Sequence, residues 1–448
     1  MEHLSQLRRA GLFGARAPRY TSYPPATQFK PAVDGEMVGG WMAAVPEDAR
    51  ISLYIHVPFC RRLCWFCACR TQGTQSLAPV RAYVETLKTE IQALRRRMAP
   101  GVGLSRLHWG GGTPTLLPPA LIRQLAGAVF NAFPMEEGGE FSVEIDPSEI
   151  DAPRMAALAE AGMTRASIGV QDFDPEIQDA IGRPQSFELT ARAVDLIRRH
   201  GIRSLNADIL YGLPHQTGQR MADTVQKVLA LAPDRVALYG YAHVPWMSKR
   251  QVMIPNESLP DGEARLALFE TAAELFLDDG FQQIGIDHFA RPDDGLAQAA
   301  AQGRLRRNFQ GYTDDPAPVL IGLGASSISR YPQGYAQNAP ATGAYTAAVR
   351  EGRIPVTRGH AFTPEDRWRG RLIEALMCDF RIDLTAMTAE VGPLPPDLFP
   401  PLLAQFGPAV HLTDSAFEIT PEGRPLTRLI AQALDGYAAP EGSHSVAV

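Results

Sequence analysis

Six β-rich runs alternate with helical stretches between residues 51 and 242, and this alternation constrains the fold more than any other feature of the chain. Strands that alternate with helices in this way predict parallel βα units. The apolar positions of the first helical stretch, from Tyr83 to Met98, recur at the spacing of an amphipathic helix. The β-rich runs are Ile51–Val57, Arg106–Trp109, Phe141–Asp146, Arg165–Gln171, Arg203–Tyr211 and Arg235–Ala242.

The number of units limits the α/β architectures that are possible. Six units in about 190 residues are too few for a closed eight-stranded barrel, which takes ~250 residues. An open, partial parallel β/α barrel fits the pattern, and a doubly wound sheet is also compatible with it. Beyond about residue 260 the alternation weakens, and residues 362–436 have a mainly helical pattern. We therefore predict an N-terminal arm at 1–45, a partial barrel at 46–280, and a C-terminal extension with a mainly helical domain at 281–448, whose segment 438–445 is a frayed end.

Four of the five cysteines lie within ten residues, directly after the first β-rich run: Cys60, Cys64, Cys67 and Cys69. The gaps of three and two residues allow one loop to place the first three sulfurs around one centre. Iron–sulfur clusters are held by such thiolates, usually four for a [4Fe–4S] unit, so three would leave one iron open to another molecule. A structural zinc site is the alternative, although its usual second Cys/His pair is missing. We expect Cys378, alone on an apolar helix, to be a core residue.

Polar residues or glycines end each predicted strand. Active sites of parallel α/β folds gather at the carboxyl ends of the strands, so we expect these residues to converge on one rim. Ser142, Glu144 and Asp146 share one face of their strand by its period of two, although simple exposure at the strand end is an alternative. The residues at the strand ends are Cys60, Gly110–Thr113, Glu144, Asp146, Gln171, Asp208, Ala242 and His243.

Composition excludes several classes of function. The net charge of -6 provides no general basic field for nucleic acid. No run approaches the ~18 apolar residues of a membrane span, and the first residues lack the apolar core of an export signal, so we expect a cytoplasmic protein with reduced thiols. Arginine supplies nearly all of the positive charge, and its planar guanidinium suits a carboxylate-rich ligand.

The chain resembles the radical S-adenosylmethionine (SAM) enzymes and, within them, the oxygen-independent coproporphyrinogen III oxidases, also called coproporphyrinogen dehydrogenases. The spacing of the three cysteines marks the superfamily, whereas Cys69 and the aromatic arm segment Pro18–Pro24 narrow the resemblance to the family. The other matching segments extend it over nearly the full length: Tyr54–Cys60, His108–Thr115, Glu144–Pro147, Gly169–Phe173, Asp208–Pro214, Tyr241–His243, Asp287–Asp294, Arg307–Thr313 and Tyr335–Asn338.

The resemblance implies a [4Fe–4S] cluster on Cys60, Cys64 and Cys67, whose fourth iron is chelated by SAM. Cys69 matches a family cysteine that is needed but does not ligate the cluster, and its role stays open. The positions that match contacts of the first SAM are Tyr54, Phe66, Gly111 and Glu144. Those that match contacts of a second SAM are Gly112, Thr113, Gln171, Arg183, Asp208, Ala242 and Ile328.

The resemblance also implies an oxidoreductase of heme and porphyrin biosynthesis. Such an enzyme converts two propionates of coproporphyrinogen III to vinyl groups without oxygen, giving protoporphyrinogen IX. It needs a low-potential electron donor and an electron acceptor, and we expect a monomer. We also expect arginines, among them Arg19, Arg291 or Arg307, to hold the propionates. The alternatives are a cluster-bearing heme chaperone, a SAM-dependent methyl-transfer enzyme, or a zinc-binding module without turnover; such chaperones lack the N-terminal arm and Cys69.

Overall fold

The computed structural model describes residues 2–437 and 446–448, so the expected frayed end at 438–445 lies outside the described residues. In chain order, the strands are β1 (Arg50–Val57), β2 (Phe59–Cys60), β3 (Gln72–Gly73), β4 (Gly103–Gly111), β5 (Met135–Ile145), β6 (Arg165–Gln171), β7 (Ser204–Tyr211), β8 (Arg235–Gly240), β9 (Gln282–Ile284), β10 (His288–Ala290), β11 (Arg306–Asn308), β12 (Gly311–Thr313), β13 (Val319–Leu323), β14 (Ile328–Tyr331), β15 (Gly334–Asn338), β16 (Val356–Ala361), β17 (Arg381–Asp383), β18 (Val410–Leu412) and β19 (Ala416–Ile419).

Helices connect most of these strands, and aspartate, serine or threonine side chains cap many of their first turns, as at Asp151, Ser186 and Thr217. The α-helices are α1 (Glu2–Arg9), α2 (Gly35–Ala43), α3 (Ala78–Arg95), α4 (Pro119–Ala132), α5 (Ala152–Glu160), α6 (Pro175–Ala180), α7 (Phe187–Arg199), α8 (Gly218–Ala230), α9 (Gly262–Asp278), α10 (Gly295–Ala301), α11 (Thr342–Arg350), α12 (Pro364–Asp379), α13 (Leu384–Val391), α14 (Pro400–Phe406) and α15 (Thr427–Ala433). Among the described residues, no helix is both long enough and apolar enough to span a bilayer.

A twelve-stranded sheet forms the centre of the fold, in the order β16-β15-β14-β13-β1-β4-β5-β6-β7-β8-β10-β9. The six predicted strands are present as β1 and β4–β8, and they follow one another in chain order, all parallel. A doubly wound sheet would reverse this order at a switch point, and this one does not. Because β16 and β9 are unpaired ends, the described sheet is an open, partial barrel, and the predicted fold class is confirmed.

Six further strands of this sheet come from residues after 280. Strand β13 is parallel to β1 on its free side, and β14–β16 extend that edge in antiparallel fashion. Strands β10 and β9 extend the opposite edge beside β8. The sheet thus crosses the predicted boundary at residue 280. The mainly helical C-terminal segment contains a small antiparallel sheet, β17-β19-β18, that the sequence did not predict.

The two largest hydrophobic cores divide the described chain at other places than the predicted domain boundaries. The larger core packs both faces of the sheet, from Val33 to Val349. The second core joins residues 7–20 and Tyr23 of the N-terminal arm to the segment from Leu372 onward. The arm also contains α1 and α2, although its sequence has little periodic pattern. We propose that the arm belongs to both units and connects them. As predicted, Cys378 is buried in a small apolar cluster.

Candidate active site

The cysteine loop leaves the carboxyl end of β1 and is anchored at several points. Strands β2 and β3 close its ends, with Cys60 paired to Gly73. In the middle of the loop, the Trp65 N–H donates to the Ile181 carbonyl at 2.9 Å, and the indole ring packs against Gly182. All four thiols of the loop are free. The loop is therefore held in place by neighbouring backbone rather than by disulfides.

The surroundings of the sulfurs act in both directions, and they favour the thiolate at Cys67. Arg183 Nη1 donates to Cys64 Sγ at 3.4 Å and lies 3.3 Å from the Asp146 carboxylate. The hydrogen bond from Cys69 lowers the pKa of Cys67 to about 6, while burial raises the pKa of Cys60 to about 11. Thiolates are the form that binds metal, and iron–sulfur clusters are held by cysteine thiolates. The donor set and the adjacent guanidinium fit such a cluster.

The same loop fits a single metal ion less well. No three His, Cys, Asp or Glu side chains among the described residues are gathered around one point, as a tetrahedral zinc site would need. A four-iron cluster instead takes each thiolate on a different iron, so its ligands lie further apart.

A glycine turn at the end of β4 packs against the cysteine loop. The Gly112 and Thr113 N–H groups donate to the Val57 and Phe59 carbonyls, both at 2.8 Å. Gly111 has a φ of +111°, and a Cβ on it would lie 2.5 Å from the imidazole of His56. Only glycine fits this position without displacing its neighbours. The turn therefore brings bare backbone to the rim beside the cysteines.

A polar network lies next to this turn. His108 contacts Ser142 Oγ through Nδ1 (2.6 Å) and Glu144 Oε1 through Nε2 (3.2 Å), and Tyr54 stacks on its ring with centroids 5.7 Å apart. Glu144 Oε2 also accepts from the Gly111 N–H at 3.0 Å. Burial opposes ionisation, but the His108 and Gly111 hydrogen bonds outweigh it and hold the pKa of Glu144 below its usual value. The rim therefore presents an ionised carboxylate.

The next strands continue the rim. Asp208 on β7 accepts hydrogen bonds from Ser167 (3.2 Å) and Asn206 (2.8 Å), and burial raises its pKa to about 6. Arg183 Nη2 donates to the Gly169 carbonyl at 3.0 Å, and a Cβ on Gly169 would lie within 3.2 Å of both Arg183 Nη2 and Gln171 Nε2. These groups lie between the cysteine loop and β8.

The remaining predicted cofactor residues lie at the two ends of the rim. Gln251 Nε2 donates to the carbonyls of both Phe66 (2.7 Å) and Ala242 (3.0 Å), so these two residues are held together after β8. Ile328 begins β14, beside Gly322, whose register partner on β1 is Tyr54. The structure thus places the predicted site residues along the carboxyl ends of the parallel strands.

A second feature is a cavity of about 370 Å³ between the two cores, which we call the arginine cavity. Tyr211 and Gly240, at the ends of β7 and β8, form its wall on the sheet side. The backbone oxygens of Val446–Val448 accept hydrogen bonds from Arg265 and Arg428 along the opposite wall. The charged side chains that line it are Arg19, Arg265, Arg307, Arg424, Arg428, Asp287, Glu270 and Glu274.

Arg307 is a buried cation of this cavity, with a side chain only 3% exposed. Its Nη2 lies 3.5 Å from Asp287 Oδ2, and its guanidinium lies over the Tyr312 ring at 4.4 Å. Its Nε and Nη1 are buried without a hydrogen-bond partner. Unpaired buried donors cost free energy, so they indicate a place for an acceptor that a ligand brings.

Of the three arginines predicted from sequence to hold the propionates, two line the arginine cavity and one does not. Arg19 and Arg307 line the arginine cavity together, and Arg307 Nη2 donates to the Arg19 carbonyl at 3.4 Å. Arg291 lies elsewhere: it pairs with Asp279 at 2.6 Å and stacks on Phe281. Sequence reasoning missed His108, Arg265 and Arg428. The period of two on β4 could have identified His108, since it shares a face with Gly110, whereas no local pattern marks the other two.

Comparison with known proteins agrees with this geometry. Residues 54–228 match the model of the radical SAM superfamily. The oxygen-independent coproporphyrinogen III oxidase of Paracoccus denitrificans is 66% identical, with all of both chains covered. Its namesake from Cereibacter sphaeroides is 58% identical over 99% of this chain and 100% of the relative. The solved structure of coproporphyrinogen III oxidase from Escherichia coli superposes with a TM-score of 0.88 at 36% identity, covering 94% of this chain and 98% of that one.

The open parallel barrel with its cysteine loop is thus that of a radical SAM enzyme. Membership of this superfamily implies a [4Fe–4S] cluster and SAM. Because relatives at 66% and 58% identity match over essentially the whole chain, the chain can also be assigned to one family within this superfamily. The chain belongs to the family of oxygen-independent coproporphyrinogen III oxidases, which are oxidoreductases.

Proposed function

We propose that the protein converts two propionate side chains of coproporphyrinogen III to vinyl groups by oxidative decarboxylation, giving protoporphyrinogen IX without oxygen. The observation that carries this proposal is the shared wall of the two sites. Gly240, at the end of β8, lines the arginine cavity, and Ala242, two residues later, is tied to the cysteine loop through Gln251. A carboxylate-binding cavity therefore opens next to the place where the cofactors would bind.

Cys60, Cys64 and Cys67 are the residues that would hold the cluster, and Cys69 is a positioning residue. Its thiol hydrogen-bonds to Cys67, which lowers the pKa of that ligand, and its carbonyl accepts from Arg250 at 3.1 Å. Held by these thiolates, a cluster with bound SAM would supply the one-electron chemistry needed to remove a hydrogen atom from the propionate β-carbon. The protein's part is to orient the reactants and to exclude water.

The polar network at β4 and β5 would orient the first SAM. The ionised Glu144 carboxylate can accept a hydrogen bond from its ammonium group. Gly111 allows backbone to approach the ligand closely, and the faces of Tyr54 and Phe66 provide apolar walls. The Gly111 N–H donates to Glu144, so a change at either residue should disturb the proposed SAM contacts of both.

We propose a second SAM on the β6–β8 side of the rim. Arg183 is buried, and its Nε has no hydrogen-bond partner, which suits a carboxylate ligand. Asp208, with its pKa raised to about 6, can accept hydrogen bonds from ribose hydroxyls. The remaining positions proposed for this molecule are Gly112, Thr113, Gln171, Ala242 and Ile328. Two equivalents of SAM bound per chain at equilibrium would support this assignment, and one would contradict it.

The test of the reaction is anaerobic reconstitution with iron, sulfide, SAM and a reductant, followed by addition of coproporphyrinogen III and a one-electron acceptor, because each decarboxylation releases one electron from the substrate. We expect two molecules of carbon dioxide and one protoporphyrinogen IX per substrate. Cys64→Ser should abolish cluster assembly and turnover, whereas Cys378→Ser, at a buried cysteine outside the site, should keep both. A reconstituted cluster that cleaves SAM but leaves the propionates intact would refute the proposal and favour a chaperone or methyl-transfer function.

A further inference from the structure

A group of exposed apolar side chains lies beside the cysteine loop. Of the six large apolar side chains that are exposed in the described part of the chain, four fall within eight residues. They are Trp246 (52% exposed), Met247 (62%), Val252 (70%) and Met253 (57%), and we call them the apolar patch. Clustered exposure of this kind is typical of protein interaction sites rather than of ordinary surface.

The segment that carries the patch is bonded to the backbone of the cysteine loop. Ser248 Oγ donates to the Cys67 carbonyl at 2.9 Å. Arg250 donates to the carbonyl of Cys69 at 3.1 Å, and Gln251 donates to that of Phe66 at 2.7 Å. The polar side of segment 248–251 thus faces the cysteine loop, while the patch side chains directly before and after it are exposed. A protein bound to the patch would be separated from the cluster ligands by a single layer of chain.

The charge around the patch has the opposite sign to that of the whole protein. The chain has a net charge of -6, yet residues 59–74 and 244–255 contain no aspartate or glutamate. The guanidinium of Arg16 lies 5.1 Å from the centroid of the Trp246 ring. The other cations of these two segments are Arg61, Arg62, Arg70, Lys249 and Arg250. Arg16, Lys249 and Arg250 adjoin the apolar patch and form a basic rim that complements an acidic partner.

We propose that the apolar patch and its basic rim are the docking site for a small acidic protein that carries one electron at low potential. The inference rests on the proposed function, in which each SAM cleavage consumes one electron delivered to the cluster. The carrier loses that electron and the cluster gains it, with no atom transferred. Small, transient interfaces are usual for electron-transfer partners, and methionine side chains adapt to such contacts. An anionic membrane would also meet a basic, apolar surface, but it would not account for the direct bonding to the cysteine loop.

The test compares a protein donor with a chemical one. SAM cleavage is measured with reduced flavodoxin, a small acidic flavin protein, and separately with dithionite, which needs no docking site. The test variants are Lys249→Glu and the double variant Met247→Ser with Val252→Ser, because these side chains are exposed. The matched controls are Lys227→Glu on α8 and Met37→Ser on α2, both exposed and outside the patch.

We expect each test variant to raise the flavodoxin concentration for half-maximal rate about tenfold, with the dithionite rate unchanged. Added salt should weaken the wild-type dependence on flavodoxin and should have less effect on Lys249→Glu. If both test variants need the same flavodoxin concentration for half-maximal rate as the wild type, the docking site is refuted. That result would refute it even if the patch bound anionic vesicles. Failure of the wild type to cleave SAM even with dithionite would refute the proposed function itself, which is a separate outcome.

Discussion

Replacing Arg307 with lysine tests whether the arginine cavity binds the propionates. The guanidinium uses Nη2 for Asp287 and leaves Nε and Nη1 buried without partners. Those two N–H groups point in different directions, so each can donate a hydrogen bond to a separate ligand oxygen, and a lysine ammonium cannot keep both positions. Lysine keeps the positive charge beside Asp287, so the cavity stays electrically balanced and the fold is preserved.

The expected size of the effect follows from the loss of one hydrogen bond to a charged group. Such a bond contributes about 1.5–3 kcal/mol, which corresponds to a rise of roughly 10- to 150-fold in the dissociation constant. Anaerobic titration of the reconstituted enzyme with coproporphyrinogen III measures this constant. The affinity for SAM, measured separately by equilibrium dialysis, should stay unchanged because Arg307 lies in the arginine cavity. It is not on the rim of strand ends beside the cysteine loop where we propose that the cofactors bind, which we call the cofactor rim.

Arg291→Lys is the matched control for this experiment. Arg291 also pairs with a carboxylate, that of Asp279 at 2.6 Å, and also lies over an aromatic ring, that of Phe281 at 4.0 Å, but it is outside the cavity lining. We expect wild-type substrate affinity in this variant. An equal loss of substrate affinity in Arg291→Lys and Arg307→Lys would show a general effect on stability. Wild-type substrate affinity in Arg307→Lys would show that the propionates bind elsewhere.

Three further predictions concern the cofactor rim and the core. Gly111→Ala should abolish SAM binding in dialysis without unfolding the chain, because its Cβ would lie 2.5 Å from the His56 ring at a φ of +111°; unchanged binding would contradict the assigned role. Glu144→Gln should weaken SAM binding at least tenfold while keeping about four irons per chain by colorimetric assay, since it loses the charge but none of the thiols. Burial raises the pKa of Glu90 from 4.5 to about 7, so the folded chain retains a proton that the unfolded chain has lost, and the free energy of unfolding should fall by about 3 kcal/mol as the pH rises through that window. Urea melts of the apoprotein should show this slope, and Glu90→Gln should flatten it.

The parallel strands could be predicted from sequence because each is a β-rich run followed by a long amphipathic helix. Strands β14–β16 are short, at four to six residues. Because β15 follows β14 directly, no helix between them signals a βα unit. Their pairing depends on contacts with β13, which is itself remote in the chain from β1. No window of sequence contains that information.

The two sites differ in the same way. The cofactor rim was predictable because the period of two and the strand ends place Cys60, Glu144 and Asp208 on one edge of the sheet. The arginine cavity was only partly predictable. Arg19 and Arg307 lie in segments of the family resemblance, but Arg265 is on α9, where it resembles any other charged residue of a helix. Only the packing of α9 against the chain's last residues shows its role, since Arg265 donates to the Val448 oxygen at 2.8 Å.

The N-terminal arm explains how the cofactor rim and the arginine cavity are held together. Its residues 7–20 belong to the second core, while Val33 and Val38 pack into the core of the sheet. Within the first of these segments, Arg19 donates to the Gly240 carbonyl at the end of β8, and its own carbonyl accepts from Arg307. Arg428 binds the arm from the other side through the Pro18 carbonyl at 3.1 Å. Removing the arm would therefore open the cavity on the side facing the rim, so we expect a radical SAM barrel without this arm to lose the wall that we propose binds the carboxylates before it loses its cofactors.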